Sequence, residues 1–132
     1  MNTLSNGIFL NSSLPVIERN SIIQGGEQEA WRTGHEYNGI QAINSGWRKG
    51  SPFSVIENTI RNQIRGIACG GVSSVIIKDN QITDCHTGIH FWDEARALLR
   101  GNVIGNHIID GVSIAGTAFP DLGTEADHGS NQ

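Results

Sequence analysis

Basic residues are scarce in this chain. Lysine and arginine together number 9, and only Lys49 and Lys78 are lysines, against 13 acidic residues and a formal net charge of -4. The basic residues also do not form a cluster along the sequence. A nucleic-acid-binding surface needs a patch of positive charge that neutralises several phosphates. We therefore expect no nucleic acid partner.

Cysteine and long apolar runs are also rare. Cys69 and Cys85 are the only two cysteines, too few for the disulfide framework of a small secreted domain. No stretch approaches the ~20 apolar residues of a transmembrane helix, so we expect no membrane span. Met1–Pro15 lacks the basic start and the apolar centre of a signal peptide. These absences leave two alternatives, a cytoplasmic chain as given or a fragment of a secreted protein.

Glycine, asparagine and isoleucine are what the chain has in quantity. Glycine alone accounts for 17 of the 132 residues, while charged residues make up only 17%. This is the composition of a protein rich in strands and turns, and the length fits one domain. A glycine followed by a β-branched residue recurs at steps of 32, 27, 22 and 23 residues. These pairs are Gly7-Ile8, Gly39-Ile40, Gly66-Ile67, Gly88-Ile89 and Gly111-Val112.

A second marker, apolar-x-x-Asn-x-Ile, shares this period. Its asparagines are Asn20, Asn58, Asn80 and Asn102, and the last three are 22 residues apart. The deviations from the period fall in two insertions, residues 27–37 and 46–52. A period near 22 with short alternating apolar pieces is too short for a helix pair and fits one coil of three strands. The sequence predicts an all-β chain, a right-handed single-stranded parallel β-helix of about four to five coils with three short strands each.

Stacked coils place equivalent residues in columns ~4.8 Å apart. Apolar residues at alternate positions of each strand should point inward, as in Ile8/Leu10 and Phe53/Val55. Asparagine tolerates a left-handed backbone and can bond its equivalents above and below, so we expect a structural ladder of the four repeated asparagines at one bend. Glycine should allow another bend. A second polar column is expected at Gln24, Asn62, Asp84 and Asn106.

With these motifs, the chain resembles the parallel β-helix repeat family, which includes pectate-lyase-like and nitrous-oxide-reductase-accessory proteins. The resemblance covers about residues 6–116. It implies the right-handed solenoid fold, and it implies a carbohydrate-related role, because relatives are commonly lyases, hydrolases, epimerases or carbohydrate-binding scaffolds. No cluster of Asp with a paired Lys or Arg matches a lyase active site. We expect a β-helix over residues 1–116 and a polar tail, 117–132, that packs on the solenoid or on a partner chain.

The face formed by outward residues of the first strands is the predicted ligand site. His90 and Trp92 lie there, followed by Asp93, Glu94 and Arg96. An aromatic plane beside carboxylates suits a sugar, and the alternative is a coil edge followed by a solvated turn. Trp31 and Trp47, one in each insertion, are further ligand-binding candidates, with a lid or an oligomer contact as the alternative.

The sequence argues against a glycosidase site and against a metal site. Asp93 and Glu94 are adjacent and would point in opposite directions in an extended chain, which argues against a glycosidase pair. His86, His90, Asp84 and Cys85 match no recognised tetrahedral ligand spacing. We therefore predict no metal and no cofactor.

An apolar stripe on the outside of the second strands indicates an interface. Its residues are Val16, Ile56, Ile76 and Leu98. The outer side of a strand is normally polar, so such a stripe needs cover, either by a second copy or by the tail through Phe119 and Leu122. The sequence thus predicts a homo-oligomer and a non-catalytic module that binds carbohydrate or assembles with itself. The alternative is a small or fragmentary polysaccharide lyase or epimerase.

Overall fold

The computed structural model describes residues 7–23, 38–46, 51–124 and 127–132. All fourteen regular elements in these ranges are strands, and none of the described residues forms a helix that could cross a membrane. The strands are β1 (Ile8–Asn11), β2 (Val16–Glu18), β3 (Ser21–Ile23), β4 (Asn38–Ile43), β5 (Phe53–Ile56), β6 (Thr59–Arg61), β7 (Arg65–Gly70), β8 (Ser74–Lys78), β9 (Gln81–Thr83), β10 (Thr87–Phe91), β11 (Arg96–Arg100), β12 (Val103–Gly105), β13 (Asp110–Ile114) and β14 (Phe119–Asp121).

Each strand from β1 to β11 pairs in parallel with the strand three places further along the chain. Sheet 1 has the order β1-β4-β7-β10-β13, sheet 2 the order β2-β5-β8-β11-β14, and sheet 3 the order β3-β6-β9-β12. Residues 22 apart face each other directly, as Ile67 faces Ile89 in sheet 1 and Ile60 faces Ile82 in sheet 3. The prediction of an all-β parallel solenoid with three strands per coil is confirmed.

The core consists of the columns of apolar residues that the alternation pointed inward. Eighteen buried residues form one cluster through the three sheets, with the fully buried Phe53 and Phe91 as its largest side chains. Burial declines at the last coil, where Val112 is partly buried and Ile114 is 52% exposed. Since β13 is the last strand of sheet 1, no further coil of the described residues covers Ile114.

The asparagine ladder is present, and its central members are fully buried. Oδ1 of Asn80 accepts hydrogen bonds from the backbone N and Nδ2 of Asn58 at 2.9 and 3.0 Å. Its Nδ2 lies at 2.9 and 3.0 Å from the carbonyl oxygens of Val55 and Lys78. It also lies 3.0 Å from Oδ1 of Asn102. The ladder therefore satisfies polar groups of the bend that could not reach water.

The expectation that the ladder asparagines adopt a left-handed backbone is wrong. The residue before each of them does so, with φ of 54° at Arg19 and Glu57, 55° at Asp79 and 66° at Gly101. The chain therefore bends at the residue before each ladder asparagine, and the side-chain amide of the asparagine that follows is directed into the coil. The second polar column does supply left-handed residues, at Asn62, Asp84 and Asn106, while Gln24 lies outside the described residues.

Four of the five repeated glycines, all but Gly111, are required by a close approach and not by an unusual φ. None of the five has a positive φ. A Cβ on Gly66 would lie 2.5 Å from Cγ2 of Ile82 and 2.6 Å from the carbonyl oxygen of Gly88. Gly39 meets Ile60 and Gly66 in the same way, at 2.7 and 2.6 Å. Glycine is thus needed where sheet 1 begins against the isoleucine column of sheet 3.

The C-terminal segment contacts the last coils at several points. Phe119–Asp121 forms β14, which pairs with β11 in sheet 2. Further on, the backbone N of Gln132 donates to the carbonyl of Asn102 at 2.7 Å. Arg100 holds this segment through Asp121, at 3.2 Å, and Asp127, at 2.7 Å. The division of the chain at residue 116 stays a prediction.

Candidate functional site

The outer face of sheet 1 carries the predicted ligand column. Gln41, Ala68 and His90 occupy equivalent positions on three successive strands. Ala68 is completely buried although it lies on the outer side of the sheet, because the longer residues on either side flank it. A small residue between Gln41 and His90 leaves a recess at this point of the face.

Trp92 lies directly after β10, and its indole covers Gly70. A Cβ on residue 70 would overlap the indole ring, so only glycine allows the ring to lie on the sheet here. The backbone N of Trp92 donates to the carbonyl of Cys69 at 3.1 Å, which fixes the position of the Trp92 backbone and so of its side chain. The imidazole of His90 stacks on the indole, with centroids 5.5 Å apart and an interplanar angle of 18°.

These rings form one wall of a shallow depression of about 260 Å³. The depression is lined by Gln41, Arg65, His90 and Trp92. Arg65 is the first residue of β7 and faces Asn38 and Thr87 on the neighbouring strands. Arg65 was missed as a site residue, and the signal that could have found it is its position directly before Gly66, at the head of the strand.

The charged residues after Trp92 do not line this depression. Asp93 forms the next bend, with φ of 58°, and its carbonyl accepts hydrogen bonds from the backbone N and Oγ1 of Thr117 at 2.8 and 3.0 Å. Glu94 is exposed in the same bend. Arg96 begins β11 and therefore belongs to sheet 2. Of the predicted ligand residues, the structure brings His90 and Trp92 together, while Trp31 and Trp47 lie outside the described residues.

A second polar column lies inside the bend between sheet 3 and sheet 1. Gln63, Cys85 and His107 each follow a left-handed residue. The bonds from His86 N to Gln63 O and from Ile108 N to Cys85 O place the three residues on successive coils. Burial raises the pKa of the Cys85 thiol to about 11. The thiol Sγ lies 3.3 Å from the carbonyl of Thr83.

His107 ends this column with one ring nitrogen unpaired. Its Nδ1 lies 3.3 Å from the carbonyl oxygen of Cys85. A carbonyl can only accept, so this contact assigns the hydrogen to Nδ1 and the lone pair to Nε2. Nε2 is buried and has no hydrogen-bond partner among the described residues. Such a buried, unpaired acceptor is uncommon and calls for an explanation.

Asp84 stands beside this column but is already paired. Its Oδ2 accepts from Nη2 and Nε of Arg61 at 2.9 and 3.2 Å. The hydrogen bond from Arg61 is the main cause that lowers the pKa of Asp84. The described residues contain no group of three or more His, Cys, Asp and Glu side chains that could hold a metal ion.

The predicted interface stripe forms a column on the outer face of sheet 2. Val16 faces Ser54, then Ile76 and Leu98 follow on the next strands. Val16 is 66% exposed. Ile56 lies two residues along from Ser54, in register with Lys78. Phe119, expected as a cover in the tail, is 79% exposed, so its side chain does not shield the stripe.

Comparison with known proteins identifies the family. A family model described as "Periplasmic copper-binding protein (NosD)" matches residues 16–119. Neither a curated protein nor a solved structure matches the chain. The matched residues run from the start of β2 to the start of β14, so they contain β2–β13 in full. Because the match spans most of its length, the chain belongs to the NosD family, a family of parallel β-helix proteins.

Proposed function

We propose that this chain is a non-catalytic β-helix module that binds carbohydrate on the outer face of sheet 1. The observation that carries the proposal is the stacked pair of His90 and Trp92 at the edge of a depression of about 260 Å³. A sugar ring presents an apolar C–H face that packs on an aromatic plane, and its hydroxyls need donors and acceptors at the margin. Trp92 supplies the plane.

The polar groups around Trp92 suit sugar hydroxyls. Gln41 offers an amide that both donates and accepts, and Arg65 offers a planar guanidinium with several donors. Arg65 lies on β7, next to the strand of the aromatic pair, and Gln41 lies one strand further, on β4. The lining residues thus come from three successive strands, which favours a ligand that extends across the coils.

A polysaccharide lyase or epimerase is the alternative. Acid–base chemistry requires a positioned group within hydrogen-bond reach of the proton that it moves. The residues that line the depression include His90 and Arg65 but no carboxylate. This composition favours binding over catalysis at this site.

An oligosaccharide array followed by titration calorimetry tests the proposal. We expect Trp92→Ala to weaken binding by about thirtyfold or more, since truncating an anchoring aromatic typically costs ~2 kcal/mol or more. Phe119→Ala is the matched control, because it removes an exposed aromatic that belongs to sheet 2 and not to sheet 1. A wild-type protein that is silent on the array contradicts the proposal. New product masses after incubation with a bound glycan would support the lyase or epimerase instead.

Self-association through the outer stripe of sheet 2 is a further part of this proposal. The exposed Val16 and its half-buried neighbours Ile76 and Leu98 form an apolar strip that a second copy would cover. Light scattering of the wild type and of Val16→Asp tests it. A dimer that Val16→Asp dissociates supports the interface, and a wild-type monomer at high concentration contradicts it.

Binding of copper is a second candidate function, supported by the family description and by one observation in this chain. The described residues lack a cluster of three ligands, so they do not suit a centre with three or four protein ligands. The unpaired Nε2 of His107, in the same column as Cys85, does suit an ion that needs two. Imidazole and thiolate are ligands that copper accepts. Titration of the chain with Cu(I) against a chromophoric chelator tests for this binding, and no uptake would rule it out.

A further inference from the structure

Cys85 has a histidine, His107, at the equivalent position of the next coil, whereas Cys69, the other cysteine of the described residues, does not. Cys85 and His107 occupy the same position on successive coils, since Ile108 N bonds to Cys85 O and His86 N bonds to Gln63 O. Equivalent atoms of successive coils are ~4.8 Å apart. Cys69, by contrast, faces Ala42 on one side and Phe91 on the other.

Both side chains are directed at the same internal column. The position of a Cβ on Gly66 would lie 3.4 Å from Sγ of Cys85. The position of a Cβ on Gly88 would lie 2.7 Å from Nε2 of His107. Gly66 and Gly88 are themselves neighbours on successive coils, because their flanking residues Arg65 and Thr87 are in register. The sulfur of Cys85 and the ring nitrogen of His107 therefore lie against equivalent glycines of two neighbouring coils.

We infer that Cys85 and His107 form a two-coordinate site for monovalent copper, with Sγ and Nε2 as the two ligands. This inference rests on the copper candidate above and assigns it to two residues. Equivalent atoms of successive coils are ~4.8 Å apart, so ligands at equivalent positions of neighbouring coils are close enough for one ion to bridge them.

The hydrogen bonding of His107 is that of a metal ligand. A ligating histidine usually donates its second ring N–H to a carbonyl or carboxylate, which orients the ring and leaves the other nitrogen for the metal. Here Nδ1 is within reach of the carbonyl of Cys85, and Nε2 is buried and unpaired. Soft thiolate ligation selects Cu(I) over Mg²⁺ or Ca²⁺.

Binding requires no redox step. Cu(I) displaces the thiol proton of Cys85, the sulfur forms the bond to copper, and the proton passes to solvent. A thiol must lose its proton to bind a metal ion, so uptake should release one proton and strengthen as pH rises. The site lies at the last complete coil, beside Ile108 and Ile109, which are 59% and 60% exposed, so an ion can enter from that end of the solenoid.

Anaerobic titration of the full chain with Cu(I) against a chromophoric chelator tests the site. We expect one ion per chain, and more than about 100-fold weaker binding in both Cys85→Ala and His107→Gln, since even outer partners of metal ligands contribute 10–100-fold. Glutamine suits the column because Gln63 occupies the equivalent place two coils earlier. Cys69→Ala is the matched control and should bind as the wild type does. X-ray absorption at the copper edge should report one sulfur and one nitrogen ligand.

The outcomes separate the inference from the function on which it rests. Wild-type protein without Cu(I) affinity overturns both. Wild-type binding that persists undiminished in Cys85→Ala and His107→Gln overturns the two-residue site and leaves copper binding elsewhere in the chain. Loss in Cys69→Ala alone also overturns it. Circular dichroism of each variant checks folding, and if one variant fails to fold, the other decides.

Discussion

The amide oxygen of Asn131 accepts hydrogen bonds from the backbone N and Nδ2 of Asn102, at 3.2 and 2.9 Å. Asn80 makes the same two bonds to Asn102, both at 3.0 Å. The C-terminal segment therefore supplies one more rung of the ladder. The sequence separation from Asn102 to Asn131 is 29 residues and not 22, so this last turn, which contains β12, β13 and β14, is longer than the regular period.

The first prediction concerns the middle of the ladder. Asn80→Ala should lower the free energy of unfolding by several kcal/mol, at about 1–3 kcal/mol for each buried group that it leaves without a partner. Asn20→Ala, at the exposed end, is the control and should cost only about 0.5–1.5 kcal/mol. Urea denaturation of the two variants measures the difference, and equal losses would contradict a cooperative buried ladder.

A second prediction concerns the arginine that holds the C-terminal segment. In Arg100→Met the segment loses its bonds to Asp121 and Asp127, so the backbone amide of Ile104, which donates to Gln132 O at 2.5 Å, should exchange with solvent faster. Hydrogen exchange measures this. Arg96→Met, in the same strand, is the control and should leave the exchange rate unchanged.

This contact also predicts a dependence on pH. The hydrogen bond from Arg100 lowers the pKa of Asp121 below its ordinary value of 3.8. The carboxylate therefore contributes stability that is present above pH ~3.8 and is lost as the pH falls through the lower value of the folded protein. The protection of the Ile104 amide, that is, its exchange rate relative to the intrinsic rate at the same pH, should fall on acidification in the wild type and change less in Arg100→Met. An equal fall in both would show that Asp121 is not responsible.

The third prediction concerns the glycine column. Gly66→Ala should destabilise the fold by about 1–3 kcal/mol, because the added methyl collides with Ile82 and with the carbonyl of Gly88. Gly105→Ala is the matched control, since a Cβ there meets nothing within 4 Å and its φ is not positive. It should be neutral or stabilise the protein by up to about 1 kcal/mol. Thermal unfolding of both variants distinguishes the two cases.

The fourth prediction concerns the thiols of chelator-treated protein. Burial raises the pKa of Cys69 to about 12 and that of Cys85 to about 11, from an ordinary value of 9.0. Neither should react with an aromatic disulfide reagent at pH 8 until urea unfolds the chain.

The raised pKa values of the two thiols also predict that the protein loses stability at alkaline pH. Since the folded pKa values lie above the unfolded ones, the contribution of the thiols is complete below pH ~9 and declines as the pH rises towards 11–12. The double variant Cys69→Ala/Cys85→Ala should lack this decline. An identical alkaline slope in the double variant would assign it to other groups.

The repeat made most of the fold predictable, because a coil that cannot bury its own apolar side must stack on equivalents of itself. The position of the ladder and of the inward columns followed from the spacing of 22 residues. The bend at Arg19 and Glu57 did not, since neither residue type favours a left-handed backbone and no pattern marks it. The role of Asn131 was missed because its spacing breaks the period.

The site was predictable only in part. Alternation placed His90 and Trp92 on one face, since residues two apart in a strand point the same way. The contribution of Arg65 depends on which strand lies beside β10, which the alternation within one segment does not report. The pairing of Cys85 with His107 likewise appears only when the register between coils is known.

Because the three sheets share one register, the number of coils in this solenoid can change without changing the structure of each coil. Thr59 and Gln81 are equivalent positions on successive coils. Excising residues 59–80 would join Asn58 to Gln81, whose surroundings match those of Thr59, so every remaining column would close over the gap. Genes for such chains can therefore grow or shrink by duplicating or losing a whole unit, and a change of any other size must be absorbed as a loop at a bend.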